Sequence, residues 1–225
     1  LMSEEDRGSV TLTTSAENRD TVTDSKRKIW VIVTCIVASL IVLTKTLIIK
    51  DLFLHVRGSS TIDDALYINQ AAALIQGQWL GPYSELTLSK SPFYAIWIAL
   101  SWQTHIPLWL SQHLLHLVAC CMMLVALRSW ITSPTLRLIC FTILFLNPKS
   151  TDDIAMRVIR EGIYSSLSLL VIACLLGLIS SYDKKGKSRI LWSVGLGIST
   201  SAMWLTREEG IWLLPSILLV FGYMS

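Results

Sequence analysis

Asp, Glu, Lys and Arg are absent from the apolar stretches 29–44, 91–127, 162–182, 190–206 and 210–225. A bilayer-spanning helix needs about 20 mostly apolar residues, and several of these stretches meet or approach that length. An ordinary soluble domain is about 25% charged, whereas this chain is 16% charged and 52% hydrophobic. The expected fold class is therefore all-α, a polytopic transmembrane helical bundle. A soluble enzyme, a disordered chain and a secreted disulfide scaffold are excluded. The net charge of +3 decides little, because in a membrane protein the placement of charge outweighs its sum. Cys35, Cys120, Cys121, Cys140 and Cys174 all lie inside apolar runs, without metal-ligand spacing to a His. They read as buried small hydrophobes.

Two regions follow from composition. Residues 1–28 form a tail, rich in Ser, Thr, Asp and Glu as far as 25 and ending in Lys26-Arg27-Lys28. It has too little apolar surface to fold, so a disordered cytoplasmic tail is expected. Residues 29–225 form the transmembrane domain. Its last apolar run has no closing charged segment, so the expectation is the front part of a longer protein.

Charge also assigns sides. Lys26–Lys28 abut the first apolar run and mark its cytoplasmic end, so 29–49 reads as a signal-anchor-like helix, with Lys45 snorkelling outward. The loop 183–189 holds four basic residues and one acid and is the strongest cytoplasmic loop. An even number of crossings must separate it from the N-terminus. The spans 29–49, 107–127, 134–147 and 162–182 supply that number, with Arg137 snorkelling from the short third span. The stretch 92–103 would rise only about 18 Å as a helix, well short of a ~30 Å core, and is expected to lie along the interface. The stretch 64–76, ending at Gly77, reads as a second interfacial helix. Two further spans, 190–206 and 210–225, complete the expected bundle. The acid-bearing segments around Asp63-Asp64, Asp152-Asp153 with Glu161, and Glu208-Glu209 then share the outer face with Lys90, Arg157, Arg160 and Arg207. Ionisable residues at a membrane edge are functional candidates when they face a cavity or a partner.

Each candidate has a plain structural reading beside the chemical one. Asp63 and Asp64 could divide labour, one taking a proton from an acceptor hydroxyl and the other holding a divalent cation. Alternatively they only favour the start of a helix 64–76, with Thr61 and Asp63 as N-cap residues and Asp64 at the positive end of the dipole. Lys90 before Ser91-Pro92 could bind a phosphate at headgroup level, or snorkel. Arg157 and Arg160, three apart, could grip an anion with Glu161 in the same cavity, or form surface ion pairs. Arg207 suits bidentate phosphate recognition, or belongs to a solvated turn with Glu208 and Glu209. His113 and His116 read as helix-to-helix hydrogen-bond partners rather than metal ligands. The sequence contains no phosphate-cradling glycine loop, no HExxH and no Gly-x-Ser-x-Gly.

The succession Asp63-Asp64, Tyr67, Gly77 and Trp79, then Lys90-Ser91-Pro92 and Tyr94, resembles the first outer loop of polyprenyl-phosphate-dependent glycosyltransferases of the C fold class. These include the protein O-mannosyltransferases and the lipid A aminoarabinose transferase. The resemblance covers about 29–215, with spans and loops in the same order. It differs from the family pattern in Ser91 between Lys90 and Pro92, in Glu161 where relatives often carry Asp, and in the more acidic turn after Arg207.

The resemblance implies a cell-envelope enzyme moving a sugar from a polyprenyl-phosphate carrier, with inversion, to a lipid, glycan or protein acceptor on the non-cytoplasmic face. It implies Asp63 as catalytic base with Asp64 beside it, Asp64 also as the candidate metal ligand for a divalent cation (Mg or Mn). Lys90 and Arg207 would hold the carrier phosphate. Glu161, Arg160, Arg157 and Tyr67 complete the substrate-binding set. Membrane lipids are expected partners and nucleic acid is not. Two rivals stand beside it: a transporter or flippase-like protein for an anionic lipid, and a non-catalytic membrane subunit.

Overall fold

In the computed structural model the described residues are 29–51, 54, 61–82, 90–148, 156–182 and 186–224. The tail 1–28, His55, Asp152, Asp153 and the basic pair at 184–185 lie outside them. Among the described residues every regular element is helical. In chain order they are α1 (Ile29–Ile49), α2 (Thr61–Ile75), α3 (Phe93–Gln103), α4 (Leu108–Leu127), α5 (Pro134–Phe145), α6 (Glu161–Ser180), α7 (Lys187–Trp204), a 3-10 turn (Glu208–Leu213) and α8 (Leu214–Met224).

Local chemistry fixes most ends. α2 stops at Gly77, whose φ of 78° is open to a residue without Cβ. Gly77 N donates to Leu74 O and Gln78 N to Ala73 O, the paired bonds of a Schellman stop. α3 ends in the same pattern, His105 N to Trp102 O and Ile106 N to Ser101 O, but with His105 in the left-handed position at φ 55°. Pro107 then opens α4. α5 begins with Pro134 in its first turn, and Ser133 Oγ accepts from Leu136 N. Both features suit a helix start.

Three helices, α1, α4 and α6, are long and apolar enough to cross a membrane. At 20 residues each, α4 and α6 rise about 30 Å. The expected spans at 134–147, 190–206 and 210–225 are less regular. α5 is a 12-residue helix, about 18 Å long. α7 starts three residues earlier than expected, taking in Lys187 and Arg189. The stretch 210–225 opens as the 3-10 turn before α8.

α6 is the central element, packed against α4 on one side and α7 on the other. Gly177 lets the Trp192 ring lie against the α6 backbone, where an added Cβ would fall 2.3 Å from the ring. Ile163, Leu167, Val171, Cys174 and Leu178 of α6 fill the core with Trp192, Leu196 and Met203 of α7. α2 and α3 join this core through Tyr67 and Tyr94, which meet edge-to-face at 5.1 Å, a favoured aromatic geometry. α1 is attached more lightly, by Ala38, Ile41 and Val42 against Cys120, Phe141 and Phe145.

Two expectations need correction. Lys45 does not snorkel. It is 6% exposed, donates to Phe145 O, and lies 4.5 Å from the Phe145 ring centroid. The last carbonyls of a helix have no partner within it, so the end of α5 offers this ammonium an acceptor inside the bundle. The cysteines also divide. Cys120 and Cys174 are buried, while Cys35 and Cys121 are exposed, Cys35 on the wall of a recess between α1, α4 and α5.

Candidate functional site

One end of the bundle gathers nearly all of the described acidic residues. Asp63 and Asp64 occupy the first turn of α2, where a carboxylate is favoured by the helix dipole. Successive helical residues point about 100° apart, and the two carboxylates accordingly meet different partners. Asp63 is half-exposed, with Lys90 Nζ 3.0 Å from each of its oxygens. Asp64 is fully buried and takes a forked pair from Arg157, Nη2 to Oδ1 at 2.7 Å and Nε to Oδ2 at 3.3 Å. α2 begins at Thr61, so Asp63 lies inside the first turn and not at the N-cap, and each carboxylate is held by a side-chain cation.

A second cluster adjoins the first. Glu161 opens α6, and Arg207 Nη1 lies 3.4 Å from its Oε1. Arg207 Nη2 also holds Glu209 Oε1 at 2.9 Å, and its guanidinium stands 5.4 Å from the Tyr164 ring. Arg160, just before α6, is looser, at 3.9 Å from Glu161. The Lys90 segment is tied to this cluster by backbone, with Phe93 N donating to Leu205 O at 3.1 Å. Ser91 Oγ donates to Glu208 Oε1 at 3.5 Å.

Tyr67 lies between the two clusters. Burial pushes its phenol up to about 12, the nearby Arg160 guanidinium draws it back, and Asp63 and Glu161 raise it further. Burial also raises the Tyr94 phenol, which accepts a hydrogen bond from Gln112 Nε2 at 3.0 Å. Both phenols stay neutral in ordinary buffers and present dipoles rather than charges.

The structure therefore brings Asp63, Lys90, Tyr67, Arg160, Glu161 and Arg207 to one region, with Asp64 and Arg157 locked beneath. It does not bring Asp63 and Asp64 together as an open carboxylate pair. Among the described residues there is no group of three or more His, Cys, Asp or Glu able to hold a metal. His113 and His116 make inter-helix contacts, His113 Nε2 with Thr46 Oγ1 at 3.2 Å and His116 Nδ1 with Ser166 Oγ at 3.3 Å.

One feature escaped the sequence reading. A cavity of about 60 Å³ runs inward from Glu161 and Gly162, lined by Gln112, Ser166, His113, His116 and Lys45. An added Cβ on Gly162 would fall 2.7 Å from Gln112 Nε2, so glycine keeps this entrance tight. The available signal was the pair of charges at the edges of otherwise apolar runs, Lys45 and Glu161. Comparison with known proteins gives no match to any family model, curated sequence or solved structure.

Proposed function

We propose that the chain is a polytopic membrane glycosyltransferase that moves a sugar from a polyprenyl-phosphate carrier to an acceptor on the non-cytoplasmic face, inverting the anomeric centre. The observation that carries the reading is the contact between Lys90 and the half-exposed Asp63. It sets a cation able to hold a phosphate beside the only carboxylate of the Asp63-Asp64 pair that a substrate can reach. In the reaction Asp63 takes the proton of the acceptor hydroxyl, whose oxygen attacks the sugar opposite the leaving phosphate. Lys90 and Arg207 offset the charge that develops on that phosphate. Arg207 is held ready by Glu161 and Glu209, and Arg157 with Asp64 fixes the start of α2. Tyr67 and Arg160 line the ground between the two cations.

Both carboxylates of α2 are already balanced by side-chain cations, so the arrangement does not fit a two-carboxylate divalent site. The orientation rests on the basic residues at the opposite end of the bundle, with the N-terminus cytoplasmic.

The test is Asp63→Asn in membranes supplied with a polyprenyl-phosphate sugar. Transfer should vanish while binding of the carrier persists. Transfer at the unsubstituted rate would overturn the reading. A second reading, a transporter or flippase-like protein for an anionic lipid, draws on the polar cavity that descends from Glu161 to Lys45. It predicts lipid translocation that Asp63→Asn leaves intact.

A further inference from the structure

The end of the bundle opposite Asp63 carries two adjoining recesses. The first, of about 250 Å³, lies between α1, α4 and α5. Its walls are apolar, chiefly Ala38, Leu124, Leu138 and Phe141, and Arg128 and Arg137 also line it. The second, of about 450 Å³, shares Arg128 and Val125 with the first. Its remaining lining is Ser129, Ser180, Ser181, Ser188 and Trp192.

Among the described residues neither lining contains an acidic residue. Arg137 Nε is shielded from solvent and makes no hydrogen bond among the described residues. A shielded guanidinium donor without an acceptor is costly, and near a membrane it is costlier still. A bilayer supplies anions that such a guanidinium can bind. Guanidinium groups match phosphate oxygens in forked geometry, and basic pockets between helices at the positively flanked side of a membrane suit anionic head groups.

We propose that these recesses form a binding site for an anionic phospholipid. The phosphate sits between Arg128 and Arg137. One acyl chain lies along Ala38, Leu124, Leu138 and Phe141, and the hydroxyls of the head group meet the serines at 129, 180, 181 and 188. The site is independent of the transferase reading. It lies at the C-terminal ends of α4 and α6, whereas Glu161 is at the N-terminal end of α6.

The experiment uses the full chain in detergent micelles, with phosphatidylglycerol and phosphatidylcholine offered in equal amounts and retained lipid read by native mass spectrometry. Phosphatidylglycerol should be favoured about tenfold or more. Arg128→Gln with Arg137→Gln should bring the ratio to within about twofold of unity. Val125 is 58% exposed and borders both recesses, so Val125→Trp fills them with little disturbance of the core. It should reduce retention of phosphatidylglycerol even if the double variant fails to fold. Equal retention of the two lipids by the unsubstituted chain would overturn the proposal, as would a preference unchanged in the variants. Glycerol phosphate without acyl chains should displace the lipid poorly. Displacement as effective as by the lipid itself would mean a site for soluble phosphate esters and would overturn the lipid assignment.

Discussion

Asp64 and Arg157 stand 93 positions apart and meet through two hydrogen bonds, at 2.7 and 3.3 Å, with no solvent reaching the carboxylate. This pair pins the start of α2 to the segment that leads into α6. It thereby fixes how Asp63, the preceding residue, faces Lys90.

Removing one member of a buried pair leaves the other charge uncompensated. Asp64→Leu should destabilise the protein by about 3 kcal/mol or more, read as a lowered thermal midpoint in micelles. Asp64→Leu combined with Arg157→Met should recover much of that loss, because the stranded guanidinium is gone. A double variant no more stable than Asp64→Leu would contradict a pairing role.

Asp63 behaves oppositely. Its pair with Lys90 is partly exposed, and pairs of that kind contribute about 1 kcal/mol or less. Asp63→Asn and Lys90→Met should therefore keep the thermal midpoint within a few degrees while removing sugar transfer. An equal fall in stability for Asp63→Asn and Asp64→Leu would place the two carboxylates in one structural role.

Tyr67 supplies a pH signature. Its phenol is raised from about 10 to about 12, chiefly by burial. Between those values the unfolded chain has released a proton that the folded chain retains, so stability falls as pH rises. The slope approaches about 1.4 kcal/mol per pH unit. Tyr67→Phe should flatten the fall between pH 10 and 12, leaving the contribution of Tyr94, and should change nothing near pH 7. Alkaline unfolding profiles of the two proteins test this directly.

Two glycines should respond with opposite signs to the same substitution. Gly177→Ala sets a methyl group 2.3 Å from the Trp192 ring, whereas a Cβ on Gly197 meets nothing within 4 Å. Helix propensity alone favours alanine by about 1 kcal/mol, and overpacking costs about 1–3 kcal/mol. Gly197→Ala should raise the thermal midpoint and Gly177→Ala should lower it.

Local backbone signals made much of this architecture legible. Gly77, Pro107 and Pro134 set helix ends through their own chemistry, and the long uncharged runs at 29–44 and 162–182 marked α1 and α6. The ends of α7 were less legible, because Lys187 and Arg189 break the apolar run without breaking the helix. Within the candidate site, the order of residues suggested a shared outer region but not which carboxylate would be sealed. That division depends on Arg157, whose contact with Asp64 is tertiary. The burial of Lys45 was equally hidden, since its acceptor is a main-chain oxygen 100 positions later and no side-chain pattern encodes it.

That last contact constrains the order of assembly. α1 leaves the ribosome before α5, so the oxygen that receives its lysine does not exist until residue 145 has been synthesised. Until then that contact is missing, as are Phe141 and Phe145 of α5, against which Ala38, Ile41 and Val42 of the first helix pack. Synthesis of α5 therefore completes the surface on which α1 docks.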